Sequence, residues 1–338
     1  MDSYEREHPE SEQPYPMPQP QDAPYVVEVP LILDFAATPA PLRLWSVFAA
    51  YGVILVVVLT ASIPVGVVLL WQRWQPKMDE RQLELALRQI AEHDVYRPAP
   101  FLSVLLLTQG GILAVTLLVG LLSRRPAAER LGMSKSTLPL WAYPFVIVSG
   151  PVVSLPVAAL LDGLGFGSDA SFEKVFVHVN HAQAALLITA MSLLPALAEE
   201  LFFRGYMQRR LLERWTPAWS IAVTTVLFAL MHVHPYSVLA ILPVGGWLGV
   251  LAWRTGSIWP SAACHAFNNA AAGLYLMGTI QWGWPAQLPR LVEILLYCAG
   301  GLCFAVALWA VFRVAAPDVT SSPNGTGAFL SHDHSTCR

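Results

Sequence analysis

Two adjacent carboxylates, Glu199 and Glu200, and a guanidinium, Arg204, stand in AEELFFRG, a stretch whose surroundings are apolar enough to sit in a bilayer. Downstream, His232 ends the run FALMH, and His265 and Asn269 bracket HAFNN. Ionisable groups inside membrane spans are expensive and mark functional sites by default. Helical spacing sorts these six. Glu200 and Arg204 are four apart, share a face and can pair. Glu199 is one residue away, roughly 100° around a 3.6-residue helix, and points elsewhere. His265 and Asn269 again share a face, and Phe228 lies one turn before His232.

A carboxylate beside imidazoles in a water-poor site can act as a base towards water. The activated water then attacks a carbonyl, while Asn269 or His265 donates hydrogen bonds to the developing oxyanion. Amide hydrolysis fits these parts. No serine or cysteine nucleophile is required, G-x-S-x-G is absent, and so is the H-E-x-x-H zinc pattern. Taken singly, each motif has a plain structural reading: an intramembrane ion pair, or polar side chains bonding between spans. Taken together, they point to a site.

The elements that must position these groups follow from composition. The chain has 338 residues, of which 55% are hydrophobic and 13% charged. Soluble domains carry about 25% charged residues, so the composition reads as an all-α, polytopic integral membrane protein. The net charge of −3 points to no nucleic-acid partner. Eight apolar segments of spanning length are expected, at 45–71, 100–123, 139–161, 183–207, 217–234, 236–253, 257–280 and 291–314, giving about eight transmembrane helices. No Asp, Glu, Lys or Arg occurs between Arg214 and Arg254. That run must hold two spans, broken near His234-Pro235-Tyr236. A proline-rich acidic tail (1–40) is expected to be disordered, and so is the C-terminal tail (317–338), where His332 and His334 read as solvated. Three N-terminal spans fall within 41–182, with a charged connector at 75–98 whose LELALRQIAEH has helical periodicity. A core at 183–280 carries the candidate residues, and a last span lies within 281–316. Cys264, Cys298 and Cys303 lie in apolar segments and Cys337 in the tail, so neither a disulfide framework nor a CxxC zinc site is indicated. Gly245 and Gly249 form a GxxxG that permits close helix packing. Trp247, Trp253 and Trp259 suit interfacial anchoring or packing, and His178 and His181 precede the fourth span as loop or helix-start residues.

If the fourth span runs on as a helix to Arg214 and turns at Trp215-Thr216-Pro217, then Glu199 and His232 are each 15 residues from the turn. Both then lie about 22 Å from it, or ~10 Å deep if the polar QRRLLER stretch projects past the membrane, and His265 lies about 12 Å into its own span. Three groups on three helices can share one depth. Arg124, Arg125, Arg130 and Lys135 fall on the same side as Arg209, Arg210 and Arg214, which places that side and both termini in the cytoplasm. The 75–98 connector, with Lys77, Arg81, Arg88 and Arg97, opposes that rule.

Glu199-Glu200-x-x-x-Arg204, Phe228-x-x-x-His232 and His265-x-x-x-Asn269, in order on separate spans, resemble the three motifs of the CAAX prenyl protease and bacteriocin-processing (CPBP) family of intramembrane endopeptidases. That family includes the type II CAAX prenyl endopeptidase. The resemblance covers about 183–280. It implies a multi-pass protein of an inner or plasma membrane whose site opens to the cytosol and whose substrate is a peptide or membrane protein, lipidated or not. By motif position Glu199 matches the water-activating glutamate with His232 as its partner. His265 and Asn269 match the oxyanion-stabilising pair, and Glu200 and Arg204 the companion acid and base. The family has been described both as metal-dependent and as a metal-independent glutamate type. Glu199, His232 and His265 are the candidate zinc ligands, with an open fourth position. No cofactor is favoured, because tighter ligand pairs such as i, i+4 histidines are missing. The rival readings are a non-catalytic scaffold or immunity protein and a transporter or proton relay. No motif residue is lost, which disfavours the first. No internal repeat is apparent, which disfavours the second.

Overall fold

Proline and short polar side chains decide where these apolar runs begin and break. In the computed structural model, which describes residues 44–122, 126–167, 171–177, 179–285 and 289–313, all regular structure among the described residues is helical. The first apolar run forms α1 (Trp45–Thr60) and α2 (Ser62–Arg73). They are separated at Ala61, where Pro64 has no N–H for the carbonyl of Thr60. The charged connector folds as α3 (Glu80–Glu92), started by a reciprocal cap in which Asp79 accepts from the Gln82 amide at 2.7 Å and Gln82 accepts from the Asp79 amide at 3.1 Å. Arg73 ties it down through Asp94 at 2.7 Å. Then follow α4 (Pro98–Leu121), α5 (Ala127–Arg130), α6 (Tyr143–Gly163), α7 (Ser171–Phe176) and α8 (His181–Glu200). The last of these is started by the Asn180–Gln183 pair in the same reciprocal manner. Beyond Glu200 the helix widens into a π-helical segment, Leu201–Gln208, and closes with α9 (Arg209–Leu212). The chain turns where the hairpin expectation put it. Thr216 caps α10 (Pro217–Leu230), with Pro217 at its first position. The rest is α11 (Pro235–Thr255), ended by Gly256 at φ 64°, then α12 (Trp259–Gln281) and α13 (Arg290–Arg313).

All eight expected segments are helical, but among the described residues six helices are long and apolar enough to cross a membrane: Trp45–Arg73, Pro98–Leu121, Leu140–Gly163, His181–Leu212, Pro235–Thr255 and Arg290–Arg313. The chain is a multi-pass integral membrane protein. The other two segments fall short for different reasons. The 14 residues of α10 rise about 21 Å against a hydrocarbon core of about 30 Å. The 23 residues of α12 are long enough, but Ser261, His265, Asn268 and Asn269 dilute its apolar character. The tails 1–40 and 317–338, with His332, His334 and Cys337, lie outside the described residues, as do Arg124, Arg125 and His178.

The span His181–Leu212 is the central one: 61% of its most apolar window is buried, against 17–33% in the other five. α8 packs between α4 and α12, α12 also packs on α6, and α11 packs on α10 and α6. Around the π segment, Phe202, Phe203, Tyr206 and Met207 form a core with Ile54 of α1 and Phe228 of α10. The end of this core is closed by the loop after α5. Ile258 N–H donates to the Gly132 carbonyl at 3.0 Å, and Ser257 donates to the Ser134 carbonyl at 2.7 Å. The Leu131 carbonyl lies so close to Gly205 that no Cβ would fit there. Trp247 is buried and donates to Ser149 at 2.7 Å, a packing residue rather than an interfacial anchor. Cys264, Cys298 and Cys303 are free thiols.

Candidate active site

The last turn of α8 and the start of the π segment present Glu199, Glu200 and Arg204 to the bundle interior. Glu200 and Arg204 pair across one turn, Nη1 to Oε1 at 2.9 Å, with both side chains fully buried. Arg204 is further held by the Gly245 carbonyl at 2.9 Å and lies 4.4 Å from the Phe228 ring centroid. The GxxxG of α11 is what lets this happen. A Cβ on Gly245 would sit 3.1 Å from Phe228 Cδ1, and one on Gly249 would sit 3.0 Å from Gln208 Oε1. Without those side chains, the Gly245 and Gly249 carbonyls are open to Arg204 and to Gln208, whose amide donates to Gly249 at 2.8 Å. Gln208, at the head of the QRRLLER stretch, is thereby held inside the bundle. It is 1% exposed and faces α11, because residues four apart stay on the Arg204 side of the segment.

His265, from α12, reaches both glutamates. Its Nδ1 is 3.1 Å from Glu200 Oε1, and its Nε2 is 3.9 Å from Glu199 Oε2. The 3.1 Å contact is a hydrogen bond, whereas the 3.9 Å one is beyond that range. An ionised carboxylate only accepts, so Nδ1 carries a proton and the Nε2 edge faces Glu199. Glu199 is otherwise bound by Gln109 of α4, whose Nε2 donates to Oε1 at 3.0 Å. The Oε2 atoms of both glutamates have no hydrogen-bond partner. The two residues differ in access. Glu200 is 0% exposed and holds Arg204 and His265 on one oxygen, while Glu199 is 8% exposed.

His232 does not stand within α10 as the 217–234 span implied. The helix ends at Leu230 and tightens, with Met231 N–H donating to Phe228 O and His232 N–H to Ala229 O. His232 Nδ1 lies 3.3 Å from the Phe228 carbonyl, and the ring is within electrostatic range of Glu199. The next residue, Val233, has φ 60°, a left-handed conformation that a β-branched side chain disfavours. This turn delivers the chain to Pro235 and α11. The Phe228 ring meets the rings of His232 at 5.4 Å, His265 at 5.8 Å and Phe203 at 5.2 Å, so it is the common apolar contact of both histidines.

Asn269 is bonded to α8 and to its neighbour Asn268. Its Nδ2 donates to the Met191 carbonyl at 3.3 Å, and its Oδ1 accepts from Asn268 at 3.4 Å. Pro195, inside α8, explains the first bond: it has no N–H to offer the carbonyl four residues back, which is Met191. Asn269 thus satisfies a carbonyl left open by proline and clamps α12 to α8. Among the described residues, no three His, Cys, Asp or Glu side chains are grouped to hold a metal ion. His265 Nδ1 is taken by Glu200 and His232 Nδ1 rests on a backbone carbonyl, so Nε2 is the nitrogen each ring would offer to a metal or to substrate.

Gln109 and Gln208 are the polar residues of the site that sequence reasoning passed over. Gln109 was readable only as a lone amide in LLLTQGGIL, and Gln208 was absorbed into a stretch read as solvated.

Residues 181–271 match a family model described as Rce1-like, type II CAAX prenyl endopeptidase Rce1-like. No curated protein and no solved structure matches the chain. The matched stretch begins with the first residue of α8, includes Glu199, Glu200, Arg204, His232, His265 and Asn269, and ends within α12, leaving Gln109 outside it. The CAAX-protease resemblance carried by the three motifs therefore holds over residues 181–271, where the chain is similar to the Rce1-like type II CAAX prenyl endopeptidases.

Proposed function

We propose that the protein is an intramembrane endopeptidase that hydrolyses a peptide bond of a membrane-associated substrate, with Glu199 as the base. The observation that carries this is the division of labour between the glutamates. Each keeps a buried, unbonded Oε2, but Glu200 is 0% exposed and tied on Oε1 by Arg204 and His265, while Glu199 is 8% exposed and is hydrogen-bonded only by the neutral amide of Gln109. Glu199 Oε2 takes a proton from water, and the resulting hydroxide oxygen bonds to the substrate carbonyl carbon, moving the carbonyl pair onto oxygen. His265, braced through Nδ1 by Glu200, donates from a protonated Nε2 to that oxyanion. Asn269 joins it when its amide exchanges the Met191 carbonyl for the oxyanion. Collapse breaks the C–N bond as Glu199 returns its proton to the leaving nitrogen. His232 stands beside Glu199 as its polar partner.

The proposed substrate is a lipidated C-terminal tail, a leader peptide or another membrane protein, reached from the cytosolic side with both termini cytoplasmic. In this reading α10 and α12 also cross the membrane, which makes eight crossings, their polar groups facing the bundle. The reaction is proposed to need no metal, on the ground that the sequence lacks tight ligand pairs such as i, i+4 histidines. The test is proteolysis in detergent with a panel of tail peptides, prenylated and plain. Wild type is expected to cleave, with and without chelator, and Glu199→Gln to lose cleavage while remaining folded. Cleavage that survives Glu199→Gln refutes the assignment of the base. Loss on chelation with restoration by zinc replaces this mechanism with a metal-dependent one.

A further inference from the structure

The side chain that reaches Glu199 from outside the matched region is an amide in the middle of an apolar helix. Gln109 is 7% exposed. The other buried polar residue of α4, Thr116, bonds the Ile112 carbonyl of its own helix at 2.7 Å. Gln109 instead leaves its helix to give Nε2 to Glu199 Oε1 at 3.0 Å, and its own Oε1 has no partner. A half-satisfied buried amide is a net liability for packing. Its position is also enforced. Two residues on, a Cβ on Gly111 would collide with the Val57 side chain of α1, so α4 is seated against α1 at the level of the amide.

Resting on the proposed function above, we propose that Gln109 is a positioning residue that fixes the carboxylate plane of Glu199 so that one oxygen is aimed at the His265 side to receive the proton of water. By occupying Oε1 it holds the carboxylate plane so that Oε2, the oxygen on the His265 Nε2 side, is the free one. With that bond lost, the carboxylate turns about its last torsion into orientations in which neither oxygen is aimed at His265. The productive pose becomes one of several, and the loss falls on the chemical step rather than on substrate binding.

Steady-state proteolysis in detergent tests this with Gln109→Leu, which keeps the volume and removes the donor, and with Gln109→Glu, which keeps the shape. Gln109→Leu is expected to lower kcat roughly ten- to hundredfold at unchanged KM, the range for a hydrogen bond to a charged group. Gln109→Glu is expected to regain kcat relative to wild type as pH falls, since only the protonated acid can donate to Glu199, whereas Gln109→Leu shows no such recovery. A merely structural role moves the unfolding midpoint and the fraction of active enzyme without this pH-dependent rescue. Wild-type kcat in Gln109→Leu, or equal deficits in both variants at every pH, overturns the proposal. If Glu199→Gln cleaves as well as wild type, the proposed function fails first; if it is inactive while Gln109→Leu cleaves normally, this inference alone fails.

Discussion

Replacing Arg204 by methionine removes one charge from a pair in which both side chains are fully buried. Glu200 is 0% exposed and Arg204 1%. Met fills similar length but returns none of the bonds from Nη1 to Glu200 and from Nη2 to Gly245, each 2.9 Å. Glu200 would retain His265 Nδ1 at 3.1 Å as its one hydrogen bond. Removing one partner of a buried ion pair costs about 3–5 kcal/mol, most of it the price of the charge left behind. Removing both charges should cost much less. In Arg204→Met/Glu200→Leu the remaining losses are a donor for the Gly245 carbonyl and an acceptor for His265, about 1 kcal/mol each. The double variant is therefore expected to be more stable than Arg204→Met by at least ~1 kcal/mol, although it carries one more substitution. The assay is equilibrium unfolding by SDS in mixed micelles, comparing the four members of the cycle. It should be accompanied by the peptide assay, in which the double variant remains inactive because His265 has lost its brace. A cost under about 1 kcal/mol for Arg204→Met, or strict additivity across the cycle, would show that the pair is not the buried and mutually dependent unit described above.

Two further outcomes follow from close contacts around the same segment. Gly245→Ala places a Cβ 3.1 Å from Phe228 Cδ1 and 3.2 Å from Thr225 Cγ2. It should therefore cost about 1–3 kcal/mol and lower cleavage by moving the carbonyl off Arg204. Gly246→Ala, which meets nothing within 4 Å, should not destabilise in the same SDS-unfolding assay. Asn269→Ala should cost about 1 kcal/mol in the wild-type chain and close to nothing in a Pro195→Ala background, where a restored N–H satisfies Met191; equal costs in both backgrounds would remove the clamp.

What was legible in the sequence divides along one physical line. Features that depend on the geometry of a single helix or turn could be read: the Glu200–Arg204 pair from its spacing, the Thr216-Pro217 helix start, and the helical periodicity of the connector that became Glu80–Glu92. The eight helical segments were legible for the same reason. Their crossing was not, because α10 is too short by itself and α12 too polar, and only the surrounding bundle decides how such helices sit. Partners supplied by another helix were not legible either. A lone glutamine in an apolar run has no spacing to betray it, so Gln109 could not be assigned to Glu199 before α4 and α8 were seen side by side.

Proline is the exception that narrows this gap, because it states a local debt that another helix must settle. Pro195 announces, from sequence alone, that the Met191 carbonyl needs a donor, and Asn269 supplies it from α12. Glycine works in the complementary sense. Gly245 and Gly249 announce only close packing, yet removing their side chains also uncovers two carbonyls, and Arg204 and Gln208, four residues apart, find carbonyls four residues apart. The helix that carries Glu199 and Glu200 is thus held at three places by backbone oxygens of its neighbours or its own, none of which titrates. That arrangement explains why a cluster of charges can be tolerated at all. Rigid, neutral acceptors fix Arg204, Arg204 neutralises Glu200, and Glu200 orients His265. Glu199 is left with Gln109 on one oxygen and no hydrogen-bond partner on the other.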